Sequence, residues 1–95
     1  MIKTERTDDG KKGEFALYQD DVKAGFMTYV WAGEDKVIID HTEVFTEFGG
    51  RGFGRKLVDA AVEFAREYQL KIIPLCPYAK GVFERTEEIR DVLSD

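Results

Sequence analysis

Apolar and polar residues alternate along the first half of the chain and recur every three to four positions in the second, and this change of period marks out the elements. "IKTERT" (residues 2–7) alternates loosely and ends at the polar turn "DDGKKG". "EFALYQ" (14–19) and "VKAGFMTYVW" (22–31) are rich in the aromatic and β-branched residues that suit a pleated surface, and only Asp20 and Asp21 separate them. They predict an antiparallel hairpin. Met27, Tyr29 and Trp31 alternate onto one face of its second strand, as core or sheet-surface residues do. After the turn "AGED" comes "KVIIDHTEVF" (36–45), whose unbroken Val37-Ile38-Ile39 predicts a strand at the centre of the sheet, covered on both faces.

The period then lengthens. Leu57, Ala61, Phe64, Ala65 and Tyr68 recur at helical spacing, while Arg55, Lys56, Asp59, Glu63, Arg66 and Glu67 take the other side. This is an amphipathic helix of about four turns. "LKIIPLC" (70–76) is apolar and β-branched again, with Pro74 placing it at an edge or stopping its ladder. "PYAKGVFER" opens with a proline suited to a first helical turn, and "TEEIRDVL" reads as a short last helix capped by Thr86. A strand, a helix and a strand with tight joints form a right-handed crossover, so residues 36–45 and 70–76 should run parallel. The fold class is α+β: antiparallel strands, then a β-α-β unit, then one or two short helices.

Between the first parallel strand and the helix lies "EFGGRGFGRKLV", with four glycines in six positions. Glycine loses the most freedom on folding, so the cluster calls for a reason beyond a turn. The first N–H groups of a helix lack internal partners and carry partial positive charge, and glycines let an anion approach the main chain. Arg51, Arg55 and Lys56 add charge beside that end. No Lys-Ser/Thr pair follows the glycines, so this is no Walker A loop, and the G-x-x-G-x-G order is not the dinucleotide fingerprint. The alternative is a plain glycine-rich turn with surface arginines.

Composition narrows the setting. Ninety-five residues, 43% of them hydrophobic, suit a single domain over residues 1–95. A net charge of −5 argues against a nucleic-acid or anionic-membrane partner. No apolar run approaches a membrane span and no leader precedes the first strand, so the chain reads as cytoplasmic. Cys76 is the one cysteine and His41 the one histidine, too few for a disulfide or a Cys/His metal site. No residue pattern sets the oligomeric state, and a monomer is compatible with all of this.

Gly52, Gly54 and Leu57, read as G-x-G-x-x-L between a strand ending "IDHTEV" and a helix, resemble the acetyl-CoA pyrophosphate loop of the GNAT superfamily of acyltransferases. "IDHTEVFTEFGGRGFGRKLV", the helix and "LKIIPLCPYAK" together resemble a subfamily of very small GNAT-like proteins, over roughly the C-terminal two thirds of the chain. The resemblance implies acetyl-CoA held where the two parallel strands part, with its pyrophosphate on the backbone of residues 49–54. It places Val44, Phe45, Gly49, Gly50, Arg51, Gly52, Phe53, Gly54, Arg55, Lys56, Cys76 and Pro77 at the cofactor, with Cys76 and His41 as catalytic candidates. It implies acetyl transfer to an acceptor, an amine or a protein.

The departures are as informative. Gly49 stands where the superfamily usually has Arg or Gln. The register N-x-x-A-x-x-x-Y reads Cys76, Ala79, Phe83, so the usual tyrosine acid is missing. "DDGKKG" replaces two acceptor-covering helices, and nothing after Leu93 supplies the superfamily's last strands. Cys76 either accepts the acetyl group or lines the pocket as a small hydrophobe. His41 is either a base for Cys76 or the acceptor, or is held by hydrogen bonds within the sheet; Glu43, on its face in a regular strand, is a better orienter than Asp40. Tyr78 is a weak substitute for the acid, since it is off the family register. Beside acyl transfer stand two other readings: a non-catalytic CoA-binding or protein-interaction module, and a structural domain without ligand.

Overall fold

The computed structural model describes residues 1–94. Five strands, β1 (Ile2–Asp8), β2 (Lys12–Gln19), β3 (Val22–Trp31), β4 (Lys36–Val44) and β5 (Lys71–Pro74), form one sheet in sequence order. The first four pair antiparallel, and β4 pairs β5 in parallel from Lys36↔Lys71 to Ile39↔Pro74. Asp20 and Asp21 both take positive φ, 51° and 70°, the backbone of a two-residue hairpin turn that follows strand twist. The 16-residue α1 (Phe53–Tyr68) connects β4 to β5, and α2 (Pro77–Arg85) follows, with Pro77 at its first turn.

Burial alternates along the strands with period two. Phe15, Leu17, Met27, Tyr29, Val37 and Ile39 face α1, whose Leu57, Val58, Ala61, Val62 and Ala65 are at most 2% exposed. Phe26, Thr28, Val30 and Ile38 face the other way and keep more contact with solvent. The helices therefore cover one face of the sheet, and the other is open. Along α1 the apolar stripe runs as read from the sequence except at Tyr68, which is 56% exposed.

Three expectations need correction. The centre of the sheet is β3, with β4 one place from the edge. The apolar run of β4 is unbroken because Ile38 lies half-buried beside Val30 and Ile73 on the open face, not because both faces are covered. Glu87–Val92 is a 3-10 segment, and Thr86 makes no side-chain cap, since the third residue after it is Ile89 and no carboxylate reaches back. Leu93 also forms a parallel bridge with Ile72, and Ser94 N–H donates to the Ile72 carbonyl at 2.9 Å, so the chain after the 3-10 segment extends the sheet edge by one contact.

Candidate active site

β4 runs on for five residues after its last partner on β5. Pairing stops at Ile39↔Pro74, because Pro74 has no N–H to continue the ladder and the chain turns away into α2. The Ile39 carbonyl holds the turn, accepting from both Leu75 and Cys76 N–H at 3.0 Å. Residues 40–44 thus border an open V.

At the mouth of the V, a 3-10 turn (Thr46–Phe48) leads into the glycine loop. Gly50 and Gly52 both have φ of +76°, where a Cβ is strained, so this path to the helix needs glycine. Gly52 is the N-cap of α1 and has no side chain to cap it; the first helical bond is Lys56 N–H to the Gly52 carbonyl at 3.2 Å. The amides of the first turn are left for an outside acceptor. Gly49 is extended, φ −65°, and closes the 3-10 turn through Thr46. Of the nearby cations, Arg51 donates to Gln19 Oε1 at 2.6 Å and lies 5.4 Å over the Phe48 ring, and Arg55 pairs with Asp59 at 2.9 Å. Lys56 is exposed and makes no ion pair among the described residues. Of the three cations that sequence placed here, Arg55 is thus neutralised by Asp59, while Arg51, held by a neutral amide and a ring, and Lys56 make no ion pair among the described residues.

Cys76 is the N-cap of α2 and is 5% exposed. Burial pushes its thiol up, but the Thr42 hydroxyl and the N–H groups of Ala79, Tyr78 and Thr42 face the sulfur and hold it below the ordinary thiol value. Thr42 Oγ1 is shut off from solvent and has no hydrogen-bond partner among the described residues.

A bulge in β4 decides which side chains reach this thiol. The register slips between Thr28↔His41 and Tyr29↔Ile39, leaving Asp40 as the extra residue. In a regular strand Ile39 and His41 would share the helix-facing side. With the bulge, Thr42 and Val44 continue that side, and His41 turns to the open face, 5.6 Å from the Phe26 ring and 3.3 Å from Glu43 Oε1. His41 is thus not placed as a base for Cys76; the sheet lies between them. Glu43 is its partner, as the sequence suggested. Asp40 accepts from Thr28 Oγ1 at 2.6 Å, on the same open face, because the strand is not regular.

Val44 ends β4 at the mouth of the V, and the next residue, Phe45, donates its N–H back to the Ala24 carbonyl at 2.8 Å. Phe53 is buried under the loop, and Pro77 is exposed beside Cys76. Phe83 is 1% exposed within the core, so no acid group stands at its register. The phenol of Tyr78 reaches the first turn of α1 at Gly54. Thr42 was missed by sequence reasoning; its only trace is the place after a histidine in "DHTEV", and only the bulge turns it toward Cys76.

An antiparallel sheet that passes into a parallel pair, splayed after a proline and faced by a glycine-led helix, is the architecture of an acetyltransferase of the GNAT type. The family model for GCN5-related N-acetyl-transferase matches residues 14–92, and the chain belongs to that family. A GCN5-like protein from Staphylococcus aureus, solved by NMR, is 36% identical over 95% of this chain and 87% of its own, with a TM-score of 0.71. Protein NATD1 of Xenopus tropicalis is 38% identical over 52 residues, 55% of this chain; the match spans about half (48%) of that relative's length. A GNAT family acetyltransferase from Elizabethkingia anophelis, crystallised with acetyl-CoA, shares the fold at 11% identity, with a TM-score of 0.67 over 77% of this chain and 63% of its own.

Proposed function

We propose that the protein is an acetyl-CoA-dependent acyltransferase that passes acetyl to an amine acceptor by way of Cys76. The observation that carries this reading is the set of N–H donors at two helix starts. One set, in the glycine loop and first turn of α1, suits a diphosphate, with Lys56 beside it. The other, at the start of α2, surrounds a cysteine sulfur. Between them runs the unpaired edge of β4, where alternate N–H and C=O groups are free to pair with an extended amide chain such as pantetheine. These residues fit the cofactor.

Bound acetyl-CoA supplies a thioester. Attack by Cys76 Sγ forms a new C–S bond to the acetyl carbon, breaks the old one, and sends the cysteine proton out with the displaced thiol, so the exchange balances. Donors that steady the Cys76 thiolate favour its formation. The acceptor amine then attacks the acetyl carbon on residue 76, forming the C–N bond and breaking the C–S bond, and the proton it loses returns to the Cys76 thiolate; His41 and Glu43, on the open face, take no part in this step.

The burial of Phe83 favours a second reading, a CoA-binding module that does not turn over. One experiment separates the two: mass spectrometry after incubation with acetyl-CoA, for wild type and Cys76→Ala. An acetyl adduct on residue 76 of the wild type supports the enzyme. Retained CoA without an adduct supports the module. No retention and no adduct defeats both.

A further inference from the structure

We propose that Thr42 is the positioning residue of Cys76: its hydroxyl is kept from every other partner so that it turns its proton to the sulfur once the thiol ionises. Two independent features carry this. Thr42 Oγ1 is closed off from solvent yet has no hydrogen-bond partner among the described residues, an arrangement that costs stability and needs a reason. And the β4 bulge, which breaks the ladder at Asp40, is what brings this side chain rather than His41 onto the face of the α2 N-terminus. A thiol sulfur is a weak acceptor and a thiolate a strong one, so the hydroxyl gains its bond only in the charged state.

Among the described residues no charged side chain competes for that part. His41 and Glu43 of β4 point to the open face, Arg55 of α1 is paired with Asp59, and Lys56 of α1 is exposed. On α2, Lys80 lines a separate cavity with Pro74, Phe83 and Glu84, and Tyr78 is 42% exposed. Lys71 of β5 binds the Asp91 carbonyl at the far end of its strand. The sulfur is therefore served by neutral donors: the Thr42 hydroxyl and backbone amides.

The functional meaning of the inference rests on Cys76 as acetyl acceptor, but its test reads the thiol alone. Cys76 is the one cysteine, so thiolate absorbance near 240 nm, less that of Cys76→Ala, follows a single group. In Thr42→Val, similar in shape to the native residue, the midpoint should move up by about one pH unit, the size of one hydrogen bond to a charge, and Thr42→Ser should bring it back. A Val variant that titrates with wild type overturns the proposal, as does a Ser variant that stays with Val. Should Thr42→Val fold poorly, NMR of the wild type decides: the Thr42 Cβ shift should follow the Cys76 Cβ shift with the same midpoint, and a Thr42 signal unmoved through that range overturns the proposal. A titration that responds as expected, with no acetyl adduct from acetyl-CoA, leaves Thr42 in its place and removes the acceptor reading.

Discussion

The phenol of Tyr78 lies across Gly54, so close that a Cβ built on residue 54 would stand 2.6 Å from Tyr78 Oη. The missing side chain in the first turn of α1 makes room for a residue of α2, and so couples the starts of the two helices that flank the V. Tyr78 is 42% exposed and the atoms in the way are the far end of a side chain, so it can swing aside. Gly54→Ala should therefore change stability by no more than about 1 kcal/mol, since alanine's better helix propensity offsets the displaced ring. CoA affinity should fall, because the new methyl stands at the cradle. Urea melts and CoA titrations of Gly54→Ala, with and without Tyr78→Ala, check this; a large loss of stability in the single variant would show that the ring is locked.

Gly25 behaves differently. Its Cβ would meet the Glu43 carbonyl oxygen at 2.5 Å and Val44 Cα at 3.1 Å, both backbone atoms of β4. A strand cannot step aside as a phenol can. Gly25→Ala should destabilise the fold by more than about 2 kcal/mol and open the β3–β4 ladder at the mouth of the V. Hydrogen exchange should show the loss at Phe45 N–H, which bonds to Ala24.

Lys56, at the start of α1, makes no ion pair among the described residues and is exposed, while the Arg51 side chain, though its charge is not neutralised, is held in place by Gln19 and Phe48. Lys56→Gln should weaken CoA binding several-fold, about 1 kcal/mol at low salt, with thermal stability near wild type. The loss should shrink as salt rises. An affinity equal to wild type at low salt would remove Lys56 from the site.

His41 and Cys76 lie on opposite faces of the sheet, so His41→Ala should leave the thiol titration of Cys76 where it is. Formation of the acetyl adduct on Cys76 should likewise match wild type, since the imidazole does not reach the sulfur. Thiolate absorbance and adduct mass measure the two separately.

At the other end of the sheet, Asp8 accepts from Tyr29 Oη at 2.5 Å and Trp31 Nε1 at 2.8 Å, tying β1 to β3. Burial pushes the Asp8 carboxyl up, but these donors, Gly10 N–H and the Arg6 charge outweigh it, so the folded value lies below the unfolded one. Its contribution is present above the ordinary carboxylate range and is lost as pH falls through the folded value. Tyr29 goes the other way: burial and the bond to Asp8 push it up to about 12. Its contribution is whole below the unfolded tyrosine value near ~10 and is lost as pH climbs toward the folded one. Melts of Asp8→Asn against wild type should converge in acid, and melts of Tyr29→Phe should lack part of the alkaline loss. Parallel pH curves in either comparison would count against the linkage.

Much of this was legible in the chain. Alternation placed β2 and β3, two aspartates marked their turn, and period 3.6 placed α1, because local backbone preference and one-sided burial act over neighbouring residues. The four glycines and Pro74 were legible as a loop of exposed amides and the end of a ladder, since each acts through its own covalent form. The apolar run of β4 misled as to the centre of the sheet, because one residue on an open face, Ile38, looks in sequence like a strand covered twice. "TEEIRDVL" misled because a cap depends on φ, ψ and a returning side chain, and neither exists at Thr86.

By itself, then, the sequence determined the strands, the crossover, the glycine loop before α1 and the position of Cys76 after Pro74. Only the tertiary structure decided what surrounds that cysteine. A bulge of one residue at Asp40 reverses every side chain after it, since strand side chains alternate with period two. That reversal sends His41 to the open face and Thr42 to the sulfur. It arises from the pairing of β4 with β3, a contact between distant segments that no local pattern records.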